Sequence, residues 1–287
     1  MSDFKEISSS QCYGGTVKKY QHTSHVLLGS VMKFVVFTPP GATVEKPAAG
    51  VWFLSGLTCN EDNFITKAGA CRKASELGIA LICPDTSPRG IKVEGDDASW
   101  DFGVSAGFYV DATDPKWAAY QMYSYITKEL TDLIDANIKN VDVAERTAVM
   151  GHSMGGHGAL ITALKNPGRF KCAAAFSPIV TPTDVPWGQK AFTGYLGSIE
   201  AGRAYDAAEL LGKYPAEGPK LPLKVVQGTA DSFYPSQLQP EVFEAKLKVA
   251  KNENLSVEIT MAEGYDHSYW FIQTYIDEVL LWINKYL

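Results

Sequence analysis

The residues best suited to bond-breaking chemistry are Gly151-His152-Ser153-Met154-Gly155. A β-prone run, 147–150, precedes them and a helix-like stretch, 155–165, follows, so the serine is expected on a sharp strand-to-helix turn that lifts its hydroxyl clear of the backbone. Small neighbours leave room for that turn. The helix start also aims N–H groups at any negative charge that develops there. A glycine-rich turn can be purely structural, but the flanking strand and helix favour a working nucleophile. A serine hydroxyl is weakly nucleophilic at neutral pH, so the reading requires a base to take its proton and a carboxylate to orient that base.

In enzymes of the α/β-hydrolase type the partners follow the serine in the order acid, then histidine, each on a loop after a strand. His22, His25 and His152 precede Ser153, and His157 falls inside the following helix. His267, beyond the run 257–261, is left as the base. Asp231 ends Leu223-Lys-Val-Val-Gln-Gly-Thr-Ala-Asp231, a strand-like run closing in a turn, and is the leading acid. Asp266 adjoins His267, but neighbours on an extended loop point apart; Asp184 and Asp206 lack a preceding strand. Ser153 is thus expected to attack an acyl carbon, His267 to move its proton and Asp231 to hold the imidazole tautomer. The oxyanion donors are expected at the backbone N–H groups of Met154 and Leu57, the latter in Ser55-Gly-Leu-Thr-Cys59. That stretch also reads as an ordinary strand-to-helix loop. Cys59 offers a rival nucleophile for the same histidine, but the elbow belongs to serine, and Cys59 is read as a thiol beside the site.

The elements that must position these residues are legible as alternation. Apolar, β-prone runs come at 31–37, 50–54, 79–83, 147–150, 172–176, 223–227 and 257–261, and most of them look like strands covered on both faces. Helix-like stretches at 63–77, 117–137, 155–165, 241–252 and 269–286 separate them. This order predicts a mostly parallel sheet with helices on both faces, in a single domain spanning 1–287. The Pro- and Gly-rich segment 181–222 is expected as an irregular, cap-like excursion with short helices above the sheet edge.

The chain has 287 residues, 46% of them hydrophobic and 20% charged, which excludes disorder as the main state. A net charge of −6 without a basic cluster argues against nucleic acid as a partner. No secretory core opens the sequence and no window reaches about 18 uninterrupted apolar residues, so a soluble, cytoplasmic protein without a membrane partner is expected. The five cysteines (Cys12, Cys59, Cys71, Cys83 and Cys172) form no C-x-x-C pair and read as free thiols. No metal-ligand spacing and no nucleotide-binding glycine motif occurs, so neither a metal nor a cofactor is implied.

Beyond the pentapeptide the chain resembles the S-formylglutathione hydrolase, or esterase D, family of α/β-hydrolases nearly end to end. The resemblance rests on Phe53-Leu-Ser-Gly-Leu-Thr-Cys59 with Glu61-Asp-Asn-Phe64, Pro84-Asp-Thr-Ser-Pro-Arg-Gly90, Trp100-Asp-Phe-Gly103, Gly107-Phe-Tyr-Val-Asp-Ala-Thr113, the run 151–158 and Tyr265-Asp-His-Ser-Tyr-Trp-Phe271. It implies hydrolysis of S-formylglutathione to glutathione and formate, the later step of glutathione-dependent formaldehyde detoxification, with side activity on short acyl esters. It also implies a triad at Ser153, Asp231 and His267, oxyanion donors at Leu57 and Met154, a thiol at Cys59 whose modification inhibits, and a homodimer. A formyl group needs only a shallow acyl pocket, for which Trp187 is a candidate wall, although it reads equally as a packed tryptophan. Glutathione is anionic, so a Lys or Arg near the cleft is expected, with none singled out. The competing expectations are a broad short-chain carboxylesterase and a catalytically silent binding protein on the same fold.

Overall fold

The computed structural model describes residues 3–287. Among these, nine strands pair into one sheet: β1 (Lys5–Cys12), β2 (Gly15–Ser24), β3 (Ser30–Thr38), β4 (Ala48–Leu54), β5 (Ile79–Pro84), β6 (Val141–His152), β7 (Ala173–Phe176), β8 (Leu221–Gly228) and β9 (Leu255–Ala262). Their order is β1-β2-β3-β5-β4-β6-β7-β8-β9. Strands β4 to β9 are parallel, while β1, β2 and β3 form an antiparallel flank joined to β5. This is the α/β-hydrolase architecture expected from the alternation of runs.

The apolar runs are central strands because both of their faces are covered; every residue of β4, β5 and β7 is buried. On one face lie α1 (Glu61–Lys67), α2 (Ala70–Leu77) and the C-terminal α10 (Tyr269–Asn284), packing Phe64, Ala74, Phe271, Ile276 and Val279 onto Phe53, Leu81 and Met150. The other face carries α3 (Met122–Ser124), which runs through a π-helical turn into α4 (Leu130–Asn137), then α5 (Met154–Lys165). Three helices of the 181–222 segment, α6 (Pro186–Leu196), α7 (Ile199–Gly202) and α8 (Ala207–Leu211), and then α9 (Pro240–Ala250), complete that layer. The excursion carries short helices, as expected.

The structure departs from the sequence reading at one helix and adds a hairpin to it. The stretch 63–77 is two helices, broken at Ala68 and Gly69. The run 257–261 lies in β9, an edge strand whose residues are only partly covered. The hairpin β1–β2 was not anticipated, because β1 is exposed along its length and carries no apolar face. No helix among the described residues is long and apolar enough to cross a membrane.

Candidate active site

Ser153 sits between the last residue of β6 and the first of α5, with φ 58° and ψ −119°. That is a strained conformation for a side chain with a Cβ, of the kind that costs roughly 1–3 kcal/mol and survives only where its surroundings hold it. Its own N–H donates to Phe176 O at 2.9 Å, and its carbonyl accepts His157 N–H at 3.0 Å. The motif glycines are dictated by close approach. A Cβ on Gly151 would overlap the Gly155 carbonyl oxygen, and one on Gly155 would overlap that of Leu54. The tip of β4, the end of β6 and the start of α5 thus meet backbone to backbone around the serine.

Parallel pairing of β8 with β9, in register to Gly228 opposite Ala262, brings the two loops beyond these strands side by side. They are sewn together by Thr229 N–H to Ala262 O at 3.0 Å and Ala230 N–H to Tyr265 O at 2.9 Å. One loop carries Asp231 and the other His267. Asp231 is buried; its Oδ2 lies 2.5 Å from His267 Nδ1 and its Oδ1 accepts Phe233 N–H at 2.9 Å. Fixing Nδ1 against a carboxylate leaves Nε2 as the proton acceptor. Asp266 is engaged elsewhere. Its carboxylate accepts the Ser268 hydroxyl at 2.6 Å and the Ser268 N–H at 3.0 Å, which lowers its pKa, while Ser268 caps α10. Asp206 caps α8 and bonds Thr183.

Ser153 and His267 line one cavity of about 440 Å³. No direct hydrogen bond joins them in this ligand-free structure; such contacts tighten when substrate is bound. The loop following β4 closes over the serine, and a Cβ on Gly56 would stand 3.2 Å from Ser153 Cβ. Leu57 lines the cavity, and neither its N–H nor that of Met154, at the first position of α5, has an acceptor among the described residues. The loop is braced from behind. Tyr109 Oη–H donates to Ser55 O at 2.8 Å, Thr58 N–H to Ser105 O at 3.1 Å and Thr86 Oγ1–H to Cys59 O at 2.5 Å. Arg89, paired with buried Asp85 through Nε at 2.8 Å and Nη2 at 2.5 Å, reaches the same Cys59 oxygen at 3.5 Å.

Cys59 lines the cavity, and burial pushes its thiol above the usual range against the opposing pull of the Tyr269 hydroxyl and the Lys67 ammonium. A thiol held protonated is a poor nucleophile. His152 also lines the cavity, its ring 4.4 Å from that of His267, and burial together with His267 holds its pKa far below the ordinary value. His152 is therefore neutral and adds no charge beside the base. His157, buried in α5, bonds Phe108 O at 2.9 Å and is pulled down to about 4 by burial.

The family is decided by comparison with known proteins. A family model described as "Putative esterase" matches residues 24–281. An S-formylglutathione hydrolase from Bos taurus is 49% identical over 286 residues, covering 99% of this chain and 98% of its own length, and one from Arabidopsis thaliana is 45% identical over 278 residues, covering 96% and 95%. The chain belongs to the S-formylglutathione hydrolase family of esterases. A solved S-formylglutathione hydrolase from Agrobacterium tumefaciens superposes with a TM-score of 0.91 at 42% identity, covering 99% of both chains. The α/β-hydrolase fold and an enzyme of the serine-esterase type follow from this membership.

Within the esterase cavity one wall is aromatic. Trp187, which the sequence left between wall and packing, does both: it is buried, lines the cavity, stacks edge-on against Trp100 with centroids 5.5 Å apart and meets Phe233 at 4.7 Å. Phe233 in turn presents its ring edgewise to His267 at 5.0 Å. Lys190 Nζ donates to Ser99 Oγ at 2.7 Å and pairs with Asp101, which ties the Trp100 loop to α6. Trp100, Phe233, Tyr269, Asn63 and Lys67 were not singled out from the sequence. Four of them had a signal: Phe233 lies two residues past Asp231, and Trp100, Asn63 and Tyr269 fall in passages on which the family resemblance rests.

Proposed function

We propose that the chain hydrolyses S-formylglutathione to glutathione and formate, with Ser153, His267 and Asp231 as its triad and the Leu57 and Met154 amides as its oxyanion donors. The observation that carries the proposal is the Asp231–His267 pair at 2.5 Å, facing the cavity into which the elbow presents Ser153. In the first half-reaction Ser153 Oγ bonds to the formyl carbon while His267 Nε2 takes the hydroxyl proton. The oxyanion is held by the two amides, and collapse breaks the carbon–sulfur bond as His267 protonates the departing glutathione thiolate. In the second, His267 takes a proton from water, hydroxide adds to the formyl-serine carbon, and formate leaves as Ser153 recovers its proton. Thiolate is a good leaving group, so this chemistry asks of the chain only what the triad and the two donors supply. The aromatic wall of Trp100, Trp187 and Phe233 favours a small acyl group. The 181–222 segment, which supplies Trp187, serves as a roof on one α/β-hydrolase domain.

The test compares kcat/KM for S-formylglutathione and p-nitrophenyl acetate with the purified chain. The thioester is expected to be preferred by more than about tenfold, equivalent to roughly 1.4 kcal/mol of differential transition-state binding. Equal or reversed preference would make the chain a general short-chain carboxylesterase.

A further inference from the structure

Of the side chains lining the cavity, Lys67 is the only Lys, Arg, Asp or Glu. It stands in the last turn of α1, is exposed, and forms no ion pair among the described residues. Its Nζ lies 5.5 Å from the ring centroid of Tyr269, which also lines the cavity, so the ammonium is placed at the mouth. Asn63 lies one helical turn earlier and lines the cavity too. Its Oδ1 accepts Asn60 N–H at 2.9 Å, and its amide NH₂ has no hydrogen-bond partner among the described residues. Lys190, which does not line this cavity, is paired with Asp101. In a protein of net charge −6 an anionic substrate meets a repulsive field, and one unneutralised ammonium beside an amide donor gives it a local point of attachment.

We infer that Lys67 and Asn63 form a carboxylate-binding subsite for the glutathionyl part of the substrate, and that Lys67 determines specificity for an anionic thiol carrier over a neutral leaving group. The inference rests on the proposed S-formylglutathione hydrolysis. With the acyl group enclosed by Trp100, Trp187 and Phe233, the leaving group must extend along the remaining wall. That wall runs past Cys59 and Tyr269 to Asn63 and Lys67.

The experiment uses the full chain and its Lys67→Gln, Lys67→Glu and Lys67→Arg variants. Selectivity, the ratio of kcat/KM for S-formylglutathione to that for p-nitrophenyl acetate, should fall about three- to tenfold in Lys67→Gln, mainly through KM, further in Lys67→Glu, and recover in Lys67→Arg. Raising ionic strength should lower wild-type selectivity and leave that of Lys67→Gln flat. A second arm measures inhibition of p-nitrophenyl acetate hydrolysis by S-methylglutathione, a thioether that cannot be cleaved; its Ki should rise by a similar factor in Lys67→Gln. An unchanged Ki in both Lys67→Gln and Lys67→Glu overturns the subsite. A wild type that fails to prefer the thioester overturns the functional reading instead, while the Ki comparison still decides the subsite.

Discussion

Replacing Asp231 with asparagine lowers kcat on the formyl thioester by about 10³- to 10⁴-fold and leaves the fold in place. The reason is geometric. Asp231 Oδ1 already accepts Phe233 N–H at 2.9 Å, so an asparagine at this site keeps its oxygen there and turns its NH₂ toward His267 Nδ1. The imidazole must then accept at Nδ1 and carry its proton on Nε2, the tautomer that cannot relieve Ser153 of its hydrogen. Because the amide replaces the carboxylate without a change of volume, a urea midpoint close to wild type is expected alongside the lost turnover. Activity within tenfold of wild type would remove Asp231 from the triad, and Asp266→Asn would then be the variant that fails.

Gly155→Ala is expected to abolish turnover and to destabilise the chain by about 3 kcal/mol or more. The added methyl would overlap the Leu54 carbonyl oxygen and crowd that of Ser55 at 2.5 Å, and all these atoms are backbone, so no side chain can swing aside. Relief requires the tip of β4 to separate from α5, which moves the oxyanion loop away from Ser153. Gly212→Ala is the matched control. Its φ is −74° and the nearest atom to an added Cβ is Glu209 O at 3.9 Å, so stability within about 0.5 kcal/mol of wild type is expected. A folded, active Gly155→Ala chain would contradict the backbone packing that defines the elbow.

What could be read from the sequence divides along a physical line. Strands β3 to β9 left short β-prone runs, unbroken where both faces are buried as in β4, β5 and β7, and the strand-end positions of Ser153, Asp231 and His267 could be read because chain order is a local fact. The hairpin β1–β2 was not, since an exposed strand such as Lys5–Cys12 is held by its ladder to β2 and leaves no pattern in its side chains. The break at Gly69 was missed because the apolar spacing of α1 and α2 nearly continues across it. Of the aromatic wall the sequence named only Trp187, because Trp100, Trp187 and Phe233 come from three separate segments that the fold joins, with Lys190 bonding Ser99 and Trp187 N–H donating to Gln237 Oε1 at 3.1 Å. The resemblance singled out residues 84–90 and 107–113 without saying what they do. In the fold, Thr86, Arg89 and Tyr109 brace the loop 55–59, which gives those passages a physical role.

The central claim is that Ser153 is the nucleophile and that His267 activates it. A fluorophosphonate probe, followed by peptide mapping, tests this without assuming any substrate. One adduct on Ser153 is predicted, formed rapidly in the wild type, slowed by orders of magnitude in His267→Ala and absent in Ser153→Ala. Labelling that maps to another residue, or that proceeds at the wild-type rate in His267→Ala, would contradict it.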